Sequence, residues 1–130
     1  MVVFTIAAGI TFAASVALAV DGVPRGDAAA GAAIYSRCLA CHTLAYDRTG
    51  PRHCGLFGRR AGSAAGFAYS DAMGRSKIVW NAKTLDRFIE NPLKAIPGTA
   101  MGYAGVADKK ERADLIAYLD RTNRGPECMK

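Results

Sequence analysis

Cys38-Leu39-Ala40-Cys41-His42 is the stretch of this 130-residue chain whose reading decides its fold. C-x-x-C-H is the pattern of covalent c-type haem attachment: each cysteine supplies one thioether to the porphyrin edge, and the adjacent imidazole faces the iron as proximal ligand. Two other chemistries use a C-x-x-C pair. A structural zinc site needs two further Cys or His ligands, usually as a second close pair, and His53, Cys54 and Cys128 form no such pair. A thioredoxin-like dithiol needs a βαβ setting, and no strand-rich run is present to provide one. Haem attachment is therefore the expected role of Cys38, Cys41 and His42, with one covalent haem c as the cofactor.

Such a haem needs a second axial position that is either filled or open. Met101 is the candidate to fill it, because it follows a Pro-Gly turn in Ile96-Pro97-Gly98-Thr99-Ala100-Met101 rather than standing at helical spacing. Met1 starts the chain, Met73 lies in a polar, turn-like stretch and Met129 is next to the end. His53 is the rival ligand, but it stands only eleven residues after His42 and is expected on the same side of the haem. His/Met ligation raises the reduction potential relative to His/His, which suits an electron carrier. A haem peroxidase or gas sensor, with an open or labile distal site, is the alternative.

The remaining pattern is helical with long loops, so an all-α class is expected. Asp27 is a plausible N-cap for a helix over residues 28–37, and Asn81 for one carrying Leu85, Phe88 and Ile89 that ends at Pro92. Asp108 and Glu111 make an Asp-x-x-Glu capping signature for a last helix with Leu115, Ile116 and Leu119 in one stripe. The glycine-dense segment from Thr43 to Lys77 reads as loop.

Residues 1–20 carry no charge and offer Ala17-Leu18-Ala19 as a cleavage site, so they read as an export signal, although the usual basic start is missing. An uncleaved anchor is the alternative, since about 20 apolar residues just span a bilayer. The haem domain is then 21–130, in the periplasm or an equivalent exported space. After haem attachment Cys54 and Cys128 remain, either free or paired, and an oxidising compartment favours pairing. Their bridge would close a loop of about 75 residues, which chain entropy credits with roughly 4 kcal/mol.

From Gly26 to about Leu119 the chain resembles the class I cytochromes c of the mitochondrial and bacterial c2 type. The resemblance rests on Cys38 to Thr43 (CLACHT), Thr49 to Pro51 (TGP), Gly55 to Arg60 (GLFGRR), Gly66 to Ala72 (GFAYSDA), Trp80, Glu90-Asn91-Pro92, Ile96 to Met101 (IPGTAM), Ala104-Gly105 and Asp114 to Leu119 (DLIAYL). It implies a small cytochrome c fold, three main helices plus long loops wrapped around one covalently bound haem. It also implies His42 and Met101 as axial ligands, a Pro51 carbonyl accepting the outer N–H of His42, and Arg59, Tyr69 and Trp80 as hydrogen-bond partners of the haem propionates. Thr99 matches a residue beside the distal methionine, and Gly31 with Tyr35 matches the crossing of first and last helices against Leu115 and Tyr118. The implied function is one-electron transfer, with no catalysis at the iron.

This chain departs from the pattern in several places. Phe88 replaces a tyrosine that touches the methionine sulfur, Met73 replaces an asparagine near a buried water, and the loop from Leu44 to Arg48 is short. Both substitutions make the haem surroundings more apolar, which changes the potential. The chain has 17 Lys and Arg against 11 Asp and Glu, a formal net charge of +6. An export signal and the absence of a reader motif argue against nucleic acid. The charge is expected to steer a monomer toward acidic redox partners: a reaction centre, an oxidase, a bc1-type complex or a dehydrogenase. Four positions that carry lysine in the mitochondrial proteins are Leu93, Ala100, Ala107 and Asp108 here, leaving Arg37, Lys94, Lys109 and Lys110. A more apolar, less salt-sensitive docking face follows.

Overall fold

The computed structural model describes residues 25–129. The expected export segment, residues 1–20, and the domain start at Asp21 lie outside them. Five helices follow in order: α1 (Ala28–Tyr35), continued by a 3-10 turn (Ser36–Cys38), then α2 (Asp71–Arg75), α3 (Ala82–Glu90), α4 (Pro92–Ala95) and α5 (Lys109–Asn123). Among the described residues there is no strand, only a single antiparallel bridge between Arg60 and Val79. The all-α expectation holds, with α1, α3 and α5 as its main members. No helix among the described residues is long and apolar enough to cross a membrane.

Each main helix begins at the cap its sequence offers. The Asp27 carboxylate accepts from Ala29 N at 2.8 Å, satisfying one of the amide donors that a helix start leaves without an intrahelical partner. Asn81 and Thr84 exchange side-chain bonds at 2.9 Å each, a full capping box at the start of α3. At α5, Asp108 accepts from Glu111 N at 2.8 Å. The Glu111 carboxylate does not complete the expected capping box, because it pairs with Arg37 of the 3-10 turn at 2.7 and 2.8 Å. A bidentate charge-assisted contact is stronger than a return bond to one backbone amide.

Three expectations need correction. The helix over 28–37 is α-helical only to Tyr35, after which the chain tightens to 3-10 geometry into Cys38. Pro92 does not simply stop α3: it is the first residue of α4, with Asn91 capping Lys94 N at 3.0 Å, and a proline at this position sacrifices no helical bond. Met73 does not sit in a polar turn. It is buried on α2, whose N-cap is the Ser70 hydroxyl.

Packing of α1 on α5 organises the core. A Cβ on Gly31 would run into the Asp114 carbonyl and lie 2.8 Å from the Tyr118 Cβ, so only glycine permits this approach. Tyr35, Leu115, Ile116 and Leu119 are buried at that crossing, each contributing about 1.5–3 kcal/mol from removal of apolar surface. Asp27 N donates to Asp114 Oδ1 at 2.7 Å, tying the first cap to the last helix. Leu56, Trp80, Leu85, Phe88 and Ile96 extend the same core toward the loops.

Candidate functional site

The attachment pentapeptide forms a tight turn at the end of the 3-10 segment. The amides of Cys41 and His42 both donate to the Cys38 carbonyl, at 3.1 and 2.9 Å. Cys38 is partly buried and Cys41 exposed, and neither forms a disulfide. Burial, followed by the nearby Cys41, raises the Cys38 thiol above its ordinary value against the lowering effect of Arg37.

His42 is buried, and its Nδ1 lies 2.8 Å from the Pro51 carbonyl, the partner that the resemblance implied. A carbonyl only accepts, so Nδ1 carries the proton and the lone pair remains on Nε2. Burial lowers the pKa of His42, opposed by the Pro51 bond, and the ring is neutral near pH 7. Gly50 makes room for it, because a Cβ there would overlap the imidazole.

Ile96 to Met101 forms the expected Pro-Gly turn. Gly98 adopts φ 90°, and Thr99 N donates to the Ile96 carbonyl at 3.0 Å. Buried Thr99 accepts from Met101 N at 3.3 Å, which fixes the backbone that carries the thioether. Met101 is partly buried against the core.

Arg59 and Trp80 lie side by side through the backbone. Trp80 N donates to the Arg59 carbonyl at 2.9 Å, and Gly58 N to the Trp80 carbonyl at 2.8 Å. The Arg59 guanidinium donates to the carbonyls of Cys54 at 3.2 Å and Arg52 at 3.0 Å, while its buried Nε has no partner among the described residues. Burial pushes the Arg59 pKa down, and Arg52 adds to this against Tyr69 and Asp47. A buried cation with an orphaned donor calls for an anion. Tyr69 accepts from Ala64 N at 3.3 Å, which leaves its own O–H to donate. Two cysteines at C-x-x-C spacing, a buried neutral imidazole, a thioether in a restrained loop and a cation lacking an anionic partner together fit a haem with its propionates. The zinc alternative finds no support, since no three His, Cys, Asp or Glu side chains among the described residues could jointly hold a metal ion.

Two features were not anticipated. His53 stacks on His42, with ring centroids 4.3 Å apart and planes inclined by 21°, and its Nδ1 lies 3.0 Å from the Tyr35 hydroxyl. Burial, reinforced by His42 and Arg59, drives its pKa down to about 3, so the ring is neutral. Asn123 at the end of α5 donates to the His53 carbonyl at 3.0 Å and accepts from Phe57 N at 3.3 Å. Cys54 is disulfide-bonded to Cys128, with Cα atoms 5.1 Å apart, in accord with the expected pairing. Of the basic residues left for docking, Arg37 pairs with Glu111 and Lys110 with Asp114. Lys94 and Lys109 form no ion pair among the described residues.

The family model described as cytochrome c matches residues 28–123. The cytochrome c of Tetrahymena pyriformis is 52% identical over 99 residues, covering 75% of this chain and 90% of that protein. The cytochrome c2 of Blastochloris viridis is 44% identical over 100 residues, covering 75% and 79%. The solved structure of cytochrome cH from Methylobacterium extorquens superposes with a TM-score of 0.72 at 40% identity, covering 74% of this chain and 99% of that one. A match of this extent brings with it the covalently attached, iron-containing c-type haem that the site residues fit, and this chain belongs to the cytochrome c family.

Proposed function

We propose that this chain is an exported one-electron carrier whose haem is held by thioethers from Cys38 and Cys41 and whose iron is ligated by His42 and Met101. The observation that carries this reading is the 2.8 Å contact between His42 Nδ1 and the Pro51 carbonyl. It commits one ring nitrogen as donor, sets the tautomer and ring orientation, and leaves Nε2 as the ligating atom. Thr99 supports the Met101 assignment by restraining that residue's amide. The bound haem supplies a reversible one-electron couple. Arg59, through its unpaired Nε, and the Tyr69 and Trp80 side chains are the donors available to the propionates.

With both axial positions filled by protein, no substrate reaches the iron, so the chain is a carrier rather than an enzyme. Docking presents the haem edge to a membrane-bound or soluble redox complex: a reaction centre, an oxidase, a bc1-type complex or a dehydrogenase. The domain spans 21–130, acts as a monomer in the periplasm, and follows a leader, residues 1–20, that is removed on export.

A redox titration followed by visible spectroscopy tests the ligation. The ferric protein is expected to show the weak band near the red end that marks methionine-to-iron charge transfer, and Met101→Ala removes it. A wild-type protein without that band at neutral pH would instead fit the peroxidase or gas-sensor reading.

A further inference from the structure

Three successive contacts hold the His42 ring, all made by one short stretch of chain. Gly50 leaves space for it, Pro51 accepts from its Nδ1, and His53 covers it with a parallel ring at 4.3 Å. The third contact belongs to a residue that is itself unusually well fixed. His53 N donates to the Thr43 carbonyl at 3.0 Å, its carbonyl accepts from Leu56 N and from Asn123 Nδ2 at 3.0 Å each, and its ring meets the Tyr35 hydroxyl. The next residue, Cys54, is cross-linked to Cys128. The His53 backbone is therefore tied to the attachment loop and to α5, with the adjacent Cys54 tied to the C-terminal tail, while its ring is fixed by the Tyr35 hydroxyl of α1 and by the face of His42.

We propose that His53, oriented by the Tyr35 hydroxyl, is a positioning residue for His42 and through it lowers the reduction potential of the bound haem. This rests on His42 being the iron ligand. An apolar side chain would fill the same space, but it would offer neither a flat face parallel to the imidazole nor a dipole beside it. Groups around a metal-ligating histidine set its orientation and basicity, and the polarity of the shell sets which charge state of the metal is favoured. A hydrogen-bonded polar ring against His42 favours the more positively charged ferric state. Removing it makes the surroundings more apolar and favours the ferrous state.

The test is a double-variant cycle on the holoprotein, with His53→Leu, Tyr35→Phe and both together, read by redox titration, by the red ferric band and by thermal melting. His53→Leu is expected to raise the ferrous-to-ferric ratio at fixed solution potential by about threefold, about 28 mV at the one-electron value of 59 mV per tenfold. Tyr35→Phe, which keeps both rings, is expected to shift the potential the same way by less. It should add nothing in the His53→Leu background. If His53→Leu fails to take up haem, Tyr35→Phe alone decides by whether it moves the potential. Lower melting temperatures with unchanged potentials would overturn the proposal, since they would leave His53 a packing residue. So would Tyr35→Phe acting equally with and without His53. Absence of the red band in the unmodified protein would instead refute the ligation reading itself.

Discussion

Arg112 offers the sharpest test of how the fold is held, because its guanidinium joins three segments. It is 1% exposed. Nε donates to Asp86 Oδ1 on α3 at 2.7 Å, and Nη1 to the carbonyls of Val106 and Ala107 at 2.9 and 2.8 Å. Nη2 lies 3.6 Å from Glu90 Oε1. Arg112→Met keeps an unbranched chain of similar reach and removes every donor. Breaking a buried ion pair from one side costs about 3–5 kcal/mol. Asp86 retains 25% side-chain exposure, so water relieves part of that cost. Val106 is buried, and a carbonyl left without its donor there adds about 1 kcal/mol. Apolar burial of the methionine offsets about 1.5 kcal/mol. The net loss expected is about 3 kcal/mol, which at 4–8 °C per kcal/mol for a domain of this size lowers Tm by about 12–24 °C. Thermal melts of the holoprotein, followed by far-UV circular dichroism and haem absorbance, measure it. A cycle with Asp86→Asn should give a coupling of at least about 1 kcal/mol. A variant melting within a few degrees of the parent, or additive effects with Asp86→Asn, would refute the account.

Four further outcomes follow from the same contacts. Replacing both Cys54 and Cys128 by serine should cost up to about 4 kcal/mol in denaturant unfolding, and a variant matching the oxidised parent would show that the bridge restrains nothing the fold does not already fix. Gly50→Ala puts a methyl into the His42 ring and should cost about 1–3 kcal/mol through overpacking, with a weakened red ferric band; an unperturbed spectrum and melt would contradict the packing described. At Asp114 burial raises the pKa, but the Lys110 ammonium and the Asp27 amide outweigh it and hold the carboxyl below its ordinary value. Its contribution is therefore present above the unfolded carboxylate pKa, about 3.9, and lost as pH falls through the lower folded value. Asp114→Asn should flatten the loss of stability below about pH 4, and an acid limb parallel to that of the parent would count against it. Because Glu111 and Asp114 already neutralise Arg37 and Lys110, association with an acidic partner should slow only weakly as salt rises, and stopped-flow rates falling steeply with ionic strength would argue that those pairs open on docking.

How much of this was legible depended on how far the controlling contact lies along the chain. Helix starts were readable because a cap acts within four residues, and Asp27, Asn81 and Asp108 all bond where they stand. The Pro97-Gly98 turn was readable for the same reason, since a glycine at φ 90° after proline is a local preference. The helix α2 was missed because five residues are too few to display a period, and with it the burial of Met73. Glu111 was misread as the second half of a capping box because its partner, Arg37, lies 74 positions earlier and becomes a neighbour only once α1 has crossed α5. His53 was expected on the same side of the haem as His42, but its stacking and its bond to Tyr35 depend on residues 50–54 returning alongside 41–44, where the Gly50 and His53 amides donate to the Cys41 and Thr43 carbonyls, while α1 delivers a hydroxyl. Residue type alone is no guide there: a histidine in a loop is usually a solvated side chain, and only the fold makes it a neutral ring on an iron-ligand candidate. Its role must therefore be decided by a measurement that separates polarity from packing, as the potentials of the Tyr35 and His53 variants do.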